Sequence, residues 1–323
     1  MRLVRSHAVR QCAGALLRAA ALLGVATARP PPAASSCAAI QAQLDGAIAR
    51  GDEHFQLPPG GIACPVDFQV LGARDLTISG AADGSTEFWF DPRMAGFRVM
   101  DSSNVTVRRL AVDHDPLPYV QLEITKITNA SAAAPTYEFE AGVRSLPLER
   151  LDGSWGPIAQ RWGWSGEGAD RWVEHGIRVP EFGSNLLANR TGGGLRSLPG
   201  FPKIAGASEG DAITLMLRQY HTYVVGNSSA VTTEDVAVHS TKGLNFYELD
   251  GEGGHIYRRI QYKRRDGQLI ASNADAFHSI DVAVGPTLED SELCYCLDDF
   301  FVSRGPRSLP PAFVQTQAAD CKP

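Results

Sequence analysis

The segment Asn273-Ala-Asp-Ala-Phe-His278 is followed at a distance by Leu297-Asp-Asp-Phe300. Asp275 and Asp298 lie 23 residues apart. If the chain runs in stacked coils of about that length, with rungs about 4.8 Å apart, the two carboxylates sit one above the other on the same face. Asp299 is adjacent and in a straight strand would point into the core. A buried unpaired carboxylate is costly, so the chain is expected to bend there and present both acids outward. Crowded carboxylates repel, and repulsion raises the pKa of one of them. That is how a site obtains a general acid beside a general base. His278 follows Asp275 by three residues and can balance charge or orient an acid. The same acids also suit an ordinary solvated turn.

A second acidic group, Glu248, Asp250 and Glu252, lies in Tyr247-Glu-Leu-Asp-Gly-Glu252, one coil before Asn273. In a strand these alternating positions share one face, continuous with the first cluster. They read either as substrate-binding groups in a groove, with calcium as a further option, or as a solvated turn around Asp250-Gly251. Asp113-His-Asp115, before Pro116, reads as a turn at a boundary.

Such residues need a scaffold that repeats. Arg74-Asp-Leu-Thr-Ile-Ser-Gly80, Ser103-Asn-Val-Thr-Val107, Thr233-Glu-Asp-Val-Ala-Val238, Gly254-His-Ile-Tyr-Arg-Arg-Ile260 and Ser279-Ile-Asp-Val-Ala-Val284 each give a polar turn and then a short β-branched strand. Leu76 and Val105 are 29 residues apart, and Val236, Ile256 and Val282 follow at steps of 20 and 26. A loose period of this size predicts an all-β, right-handed parallel β-helix, in which each coil buries its face only by stacking on the next. The alternative is a β-sandwich, whose strands recur at about 8–12 residues with hairpin turns. Coils are expected over 37–120 and 210–303, resuming at Asp211-Ala-Ile-Thr-Leu-Met-Leu217.

Between 121 and 209 the repeat is lost, and four of the five tryptophans fall between Trp155 and Trp172. This predicts an inserted β-rich subdomain, its tryptophans forming a small core or stacking on sugar rings. Ile40, Leu44 and Ile48 have the spacing of a short amphipathic helix over 37–50 that caps the coils. The stretch 304–323 reads as an irregular tail, because the prolines of Arg304-Gly-Pro-Arg-Ser-Leu-Pro-Pro311 cannot complete a rung. With 24 residues after Asp299, the aspartate rung is expected near an open end, frayed and weakly active or inactive.

The chain has 323 residues, 44% hydrophobic and 20% charged, with 32 glycines and 20 prolines, a turn-rich β composition. No apolar run is long enough for a membrane span. Residues 1–28 hold four arginines, no acid, an apolar stretch and Ala26-Thr27-Ala28, which reads as a secretory signal peptide. An organelle transit peptide is the alternative. Its removal would take the formal charge from −6 to −10, a surface that repels nucleic acid and anionic lipid. Four sequons, at Asn104, Asn129, Asn189 and Asn227, fit an extracellular glycoprotein. Cys37 and Cys64 suit an N-terminal clasp, and Cys321 suits either Cys294 or Cys296. Their spacing matches no zinc motif.

The motifs resemble two related families. The polygalacturonases carry Asn-x-Asp and then an Asp-Asp pair one coil later, matched here by Asn273, Asp275, Asp298 and Asp299. The β-helix α-1,3-galactosidases look closer, with Asp275-Ala-Phe-His278, Gly285-Pro286 and Asp298-Asp-Phe300. The resemblance spans roughly 37–120 and 210–301. It implies cofactor-free, inverting hydrolysis of an α-glycosidic bond in an oligo- or polysaccharide, with Asp275 and the Asp298/Asp299 pair as acid and base. The later Gly-His-Gly and Arg-x-Lys of polygalacturonases are missing, and with them the cations that hold a uronate, which favours a neutral sugar. Inverting carboxyls stand about 6.5–9.5 Å apart and retaining ones about 5–5.5 Å, so a bare one-rung spacing fits the shorter distance unless the side chains splay.

A non-catalytic or truncated glycan-binding β-helix is the competing class. A polysaccharide lyase is a third, supported only by Lys263, Arg264 and Arg265 near the acids. Protein exported by its native host is expected to begin near Arg29 on N-terminal sequencing, and an intact Met1 would contradict export.

Overall fold

The computed structural model describes residues 35–92, 96–133, 135–142, 144–145, 158–164, 171–172, 187–190, 194–199, 201, 203–204, 206–216, 221–241, 243–272, 274–294, 296 and 299–304. The expected signal segment, nearly all of the tail, Asn273 and Asp298 lie outside them.

The described chain is mostly β, with large parallel sheets. One six-stranded sheet is parallel throughout, in the order Phe68–Leu71, Phe97–Met100, Tyr223–Gly226, Phe246–Leu249, Phe277–Ile280 and Phe301–Arg304. A second, eleven-stranded sheet collects the intervening strands, also in parallel. The chain visits the two sheets alternately, so each circuit adds a rung to both. This is compatible with the expected coils.

The strand pattern explains the register. In Phe246–Leu249, burial alternates, with Phe246 and Glu248 enclosed and Tyr247 and Leu249 half-buried. The shared register stacks Phe68, Phe97, Tyr223, Phe246, Phe277 and Phe301 into one aromatic column. Its successive ring centroids are 5.4, 5.3, 5.3, 6.3 and 5.1 Å apart. Two positions on, the inner column runs Val70, Val99, Val225, Glu248, Ser279, Ser303, changing from aliphatic to polar along the stack.

Corners are equally periodic. Asp101, Asn227, Asp250 and Asp281 share a register position and all have positive φ, as does Gly72 beside them. Asp75, Asn104 and Ala230 form a second such column, and Arg109, Asp235, Arg259 and Asp290 a third. Asn and Asp tolerate the left-handed region better than other non-glycine residues. Asn104 donates from Nδ2 to Asp75 Oδ1 at 2.7 Å, and Asn227 to Asp101 Oδ1 at 2.6 Å, tying one coil's corner to the next. The true steps differ from those read in the sequence. Val105 aligns with Val231 and His255, whereas Val236 pairs with Leu110 and Ile256 with Thr232. Polar turns and β-branched strands occur twice per coil, so the motif alone cannot say which copy stacks on which.

The helix Cys37–Arg50 forms as expected, burying Cys37, Ile40, Leu44 and Ala47 and ending at Gly51 in the left-handed region. It is joined to the first coil by the disulfide Cys37–Cys64. Gln41 donates from Nε2 to Gln69 O at 2.7 Å and accepts from Gln69 N–H at 2.8 Å, so its amide stands in for a strand along the edge of the first rung. Cys294 is disulfide-bonded as well.

The insert is a seven-stranded antiparallel sheet with its own apolar cluster of Val120, Leu122, Ile124, Tyr137, Phe139, Leu195, Phe201, Ile204, Ile213 and Leu215. Its limits are wider than the sequence implied. Ala212–Met216 pairs antiparallel with Tyr119–Thr128, and the parallel sheets resume only at Tyr223. Ala-Ile-Thr-Leu-Met alternates with period two in either setting, so the pattern carries no information about which sheet takes it. The side chains of Trp162, Trp164 and Trp172, like all of Trp155, lie outside the described residues. No helix among the described residues is long and apolar enough to cross a membrane.

The aromatic column makes a stability prediction. Phe246 is fully enclosed and touches Tyr223, Tyr257 and Phe277. Phe246→Ala should lower the free energy of unfolding by about 3–5 kcal/mol in denaturant titration. A change under about 1 kcal/mol would mean that the column is not packed as described.

Candidate active site

The site is built on the outer side of the six-stranded sheet, at the last described rungs. Register makes Tyr247 the neighbour of His278, and His278 of Val302. Just before these strands, Asn245 N–H donates to Asp275 O at 3.3 Å and Ala276 N–H to Asp299 O at 3.0 Å. In a parallel ladder those bonds set Asp299 opposite Asp275, on rungs about 4.8 Å apart. The step between the rungs is 24 residues, so the sequence pairing of Asp275 with Asp298 is off by one. Asp299 is exposed, in line with the expectation that the chain turns its side chain outward.

Asp275 is held from both sides. Ser272 Oγ donates to Gly243 O at 2.8 Å and accepts from Ala274 N–H at 3.0 Å, which fixes the turn before it. Behind it, His278 Nδ1 hydrogen-bonds Asp275 Oδ2. Both side chains are largely buried, at 7% and 9% exposure. His278 Nε2 is buried with no hydrogen-bond partner among the described residues. The His278 ring meets Tyr247 edge-on at 6.0 Å, and Tyr247 packs on His221 at 4.4 Å.

His221, Tyr247 and Arg98 extend the same face and were not singled out from the sequence. His221 Nδ1 accepts Leu244 N–H at 3.1 Å, which leaves the proton on Nε2. Burial, helped by Arg98 and His278, pulls His221 down to about 4, so it is neutral at pH 7. Arg98 pairs with Asp67 at 3.0 Å. These residues sit beside one another only through steps of 31, 23 and 126 residues between rungs, and no local motif reports such spacings.

The second acidic group does not form a face. Glu248 points inward, fully enclosed, accepting from Ser279 Oγ at 2.6 Å and Tyr257 Oη at 3.2 Å. Its strand ends at Leu249, and Asp250 belongs to the left-handed corner column. Glu252 follows in the turn, exposed. The alternation expected of a strand fails because the strand stops one residue after Glu248. Asp113 is not a turn residue either. It lies within the strand Thr106–His114, is fully buried, and pairs with Arg144 at 3.0 Å and Arg265 at 2.8 Å. Among the described residues no group of three His, Cys, Asp or Glu converges as a metal site.

Two carboxyls on adjacent rungs, one braced by an imidazole and one exposed, are a sufficient set for transferring protons to and from a substrate lying across the sheet.

No known family profile matches the chain. It is similar to alpha-1,3-galactosidase B of Akkermansia muciniphila, with 24% identity over 302 residues, covering 85% of this chain and 36% of the relative. The chain thus spans about a third of that protein's length.

Glu248 gives a pH prediction. Burial, opposed by the hydroxyls of Ser279 and Tyr257, raises it from 4.5 to about 7. Between these values the folded chain keeps a proton that the unfolded chain releases. Its contribution to stability is therefore full below about pH 4.5 and is lost as pH rises to about 7. His221 and His255, each lowered to about 4 chiefly by burial, act oppositely, their contribution fading as pH falls from 6.5. Comparing wild type with Glu248→Gln isolates the carboxyl. The variant should lack a loss on the order of 3 kcal/mol between pH 4.5 and 8. Identical pH slopes for the two proteins would show that Glu248 does not titrate in this range.

Proposed function

We propose that the chain is a right-handed parallel β-helix of glycoside hydrolase type that cleaves α-linked, neutral glycans at its last coils. What supports this is the backbone bonding that brings the Asp275 and Asp299 segments onto neighbouring rungs, with Asp275 hydrogen-bonded to His278 and Asp299 exposed. The similarity to a protein named an alpha-1,3-galactosidase supports an α-galactoside as the sugar to try first. Asp275 and the Asp298/Asp299 pair divide the work. One carboxylic acid protonates the leaving oxygen as the C1–O bond breaks. The other, ionised, takes a proton from the water that attacks C1 from the opposite side, inverting the anomeric centre. His278 holds Asp275 in one orientation. Asn273, next to this turn, contacts the substrate.

Asp275→Asn, Asp298→Asn and Asp299→Asn should each reduce turnover of a cleaved α-galactoside by about a hundredfold or more, because each removes a proton-transfer or positioning group. A panel of α-galactosides and galacturonans, assayed by released reducing sugar, supplies the substrate. Unchanged turnover in Asp275→Asn, or cleavage restricted to galacturonans, would overturn the reading.

A further inference from the structure

We propose that the inserted antiparallel sheet is a positioning element for Asp275, acting through Tyr119 and Gln121 on the segment that delivers it. The inference rests on the reading of Asp275 as a catalytic residue.

Between the strands Gln261–Tyr262 and Phe277–Ile280 none of the described residues of 263–276 belongs to a strand, and Ser272 makes an isolated bridge to Cys296. A backbone outside the ladders has to be located by other contacts. At both ends they come from neighbouring rungs, and over 267–270 they come from the insert. Tyr119 and Gln121, at the start of its long strand Tyr119–Thr128, are 0% and 2% exposed. Tyr119 Oη donates to Ile270 O at 2.6 Å. Gln121 grips the segment twice, donating from Nε2 to Gly267 O at 2.9 Å and accepting Leu269 N–H on Oε1 at 3.2 Å. Leu117, Tyr119, Ala212, Leu269 and Ile270 close around these bonds as a separate apolar cluster, distinct from the cores of the coils and of the insert. The bonds engage main-chain groups, so they specify where the backbone runs whatever side chains it carries.

The beginning of the segment is tied to the same body. Arg265 and Arg144 both pair with the buried Asp113. Both guanidiniums lie over Trp89, at 5.0 and 4.8 Å from the ring centre. Arg144 also donates to His114 O, and Asp113 accepts from Ser240 Oγ at 2.5 Å. One buried carboxylate thus joins the insert, the segment and the coil wall. Downstream, Thr241 N–H donates to Ala271 O at 2.8 Å and Ser272 takes over, three residues before Asp275. Within the segment Arg264 donates to Leu269 O at 3.0 Å and Arg265 N–H to Gln268 Oε1 at 2.7 Å, so the turn is braced internally while the insert fixes where it lies.

A catalytic group must be held to about half an ångström, and a small displacement lowers the rate far more than it lowers binding. Removing an anchor should therefore loosen Asp275 without unfolding the coils. The variants are Tyr119→Phe, which deletes one hydroxyl and keeps the ring, and Gln121→Met, which keeps the length and deletes both amide bonds. Hydrogen exchange on the full chain should speed up about tenfold or more across 265–278 and stay unchanged across 97–112. On a cleaved α-galactoside, kcat should fall about tenfold with KM held within about twofold. Unchanged exchange across 265–278, or equal acceleration in both windows, would overturn the proposal, as would a rise in KM with kcat intact. If the wild type cleaves no glycoside, the catalytic reading of Asp275 fails, while the exchange comparison still decides whether the insert locates the segment.

Discussion

The parallel backbone ladder is the constraint on which everything else depends. In stacked parallel strands each residue lies beside its counterpart one rung away, so like positions must accept like side chains. The inner aromatic column from Phe68 to Phe301 is the result, and it sets the register. A slip of one residue anywhere would turn the aromatics outward and bury their polar neighbours. Because the core rejects that slip, the outer face inherits a fixed alignment. The backbones of Asp275 and Asp299 fall on neighbouring rungs because Phe277 and Phe301 stack.

The same logic explains the gradient inside the coils. The second inner column is Val70, Val99 and Val225 in the first rungs and Glu248, Ser279 and Ser303 in the last. Glu248 lies on the strand that carries Tyr247, one rung from Ser279, whose neighbour His278 braces Asp275. A hydrogen-bonded polar interior is less adaptable than an aliphatic one, since each group demands a particular partner. The rungs of Glu248 and Ser279 are thus held from within by directional bonds.

Much of this was legible in the sequence. The mostly β, parallel-sheet character, the helix at 37–50 and the Cys37–Cys64 pairing all follow from composition, periodicity and spacing. The register did not. Two strands per coil share one motif, and turn lengths vary, so Val236 and Ile256 were aligned with positions they do not stack on. The inward turn of Glu248 was hidden because its strand ends at Leu249. The roles of Tyr119, Gln121, His221 and Tyr247 depend on contacts across 23 to 151 residues, which no local pattern encodes.

The stereochemistry of the first product tests the central claim most directly. Adjacent rungs are about 4.8 Å apart, close to the spacing of a retaining pair, and only outward splay of the carboxyls makes room for a water. Asp299 is exposed while Asp275 is drawn back onto His278, the arrangement that splay requires. Proton NMR of an α-galactoside hydrolysed by the wild-type chain, recorded before mutarotation, should show the β-anomer of galactose first. The α-anomer appearing first would contradict the account.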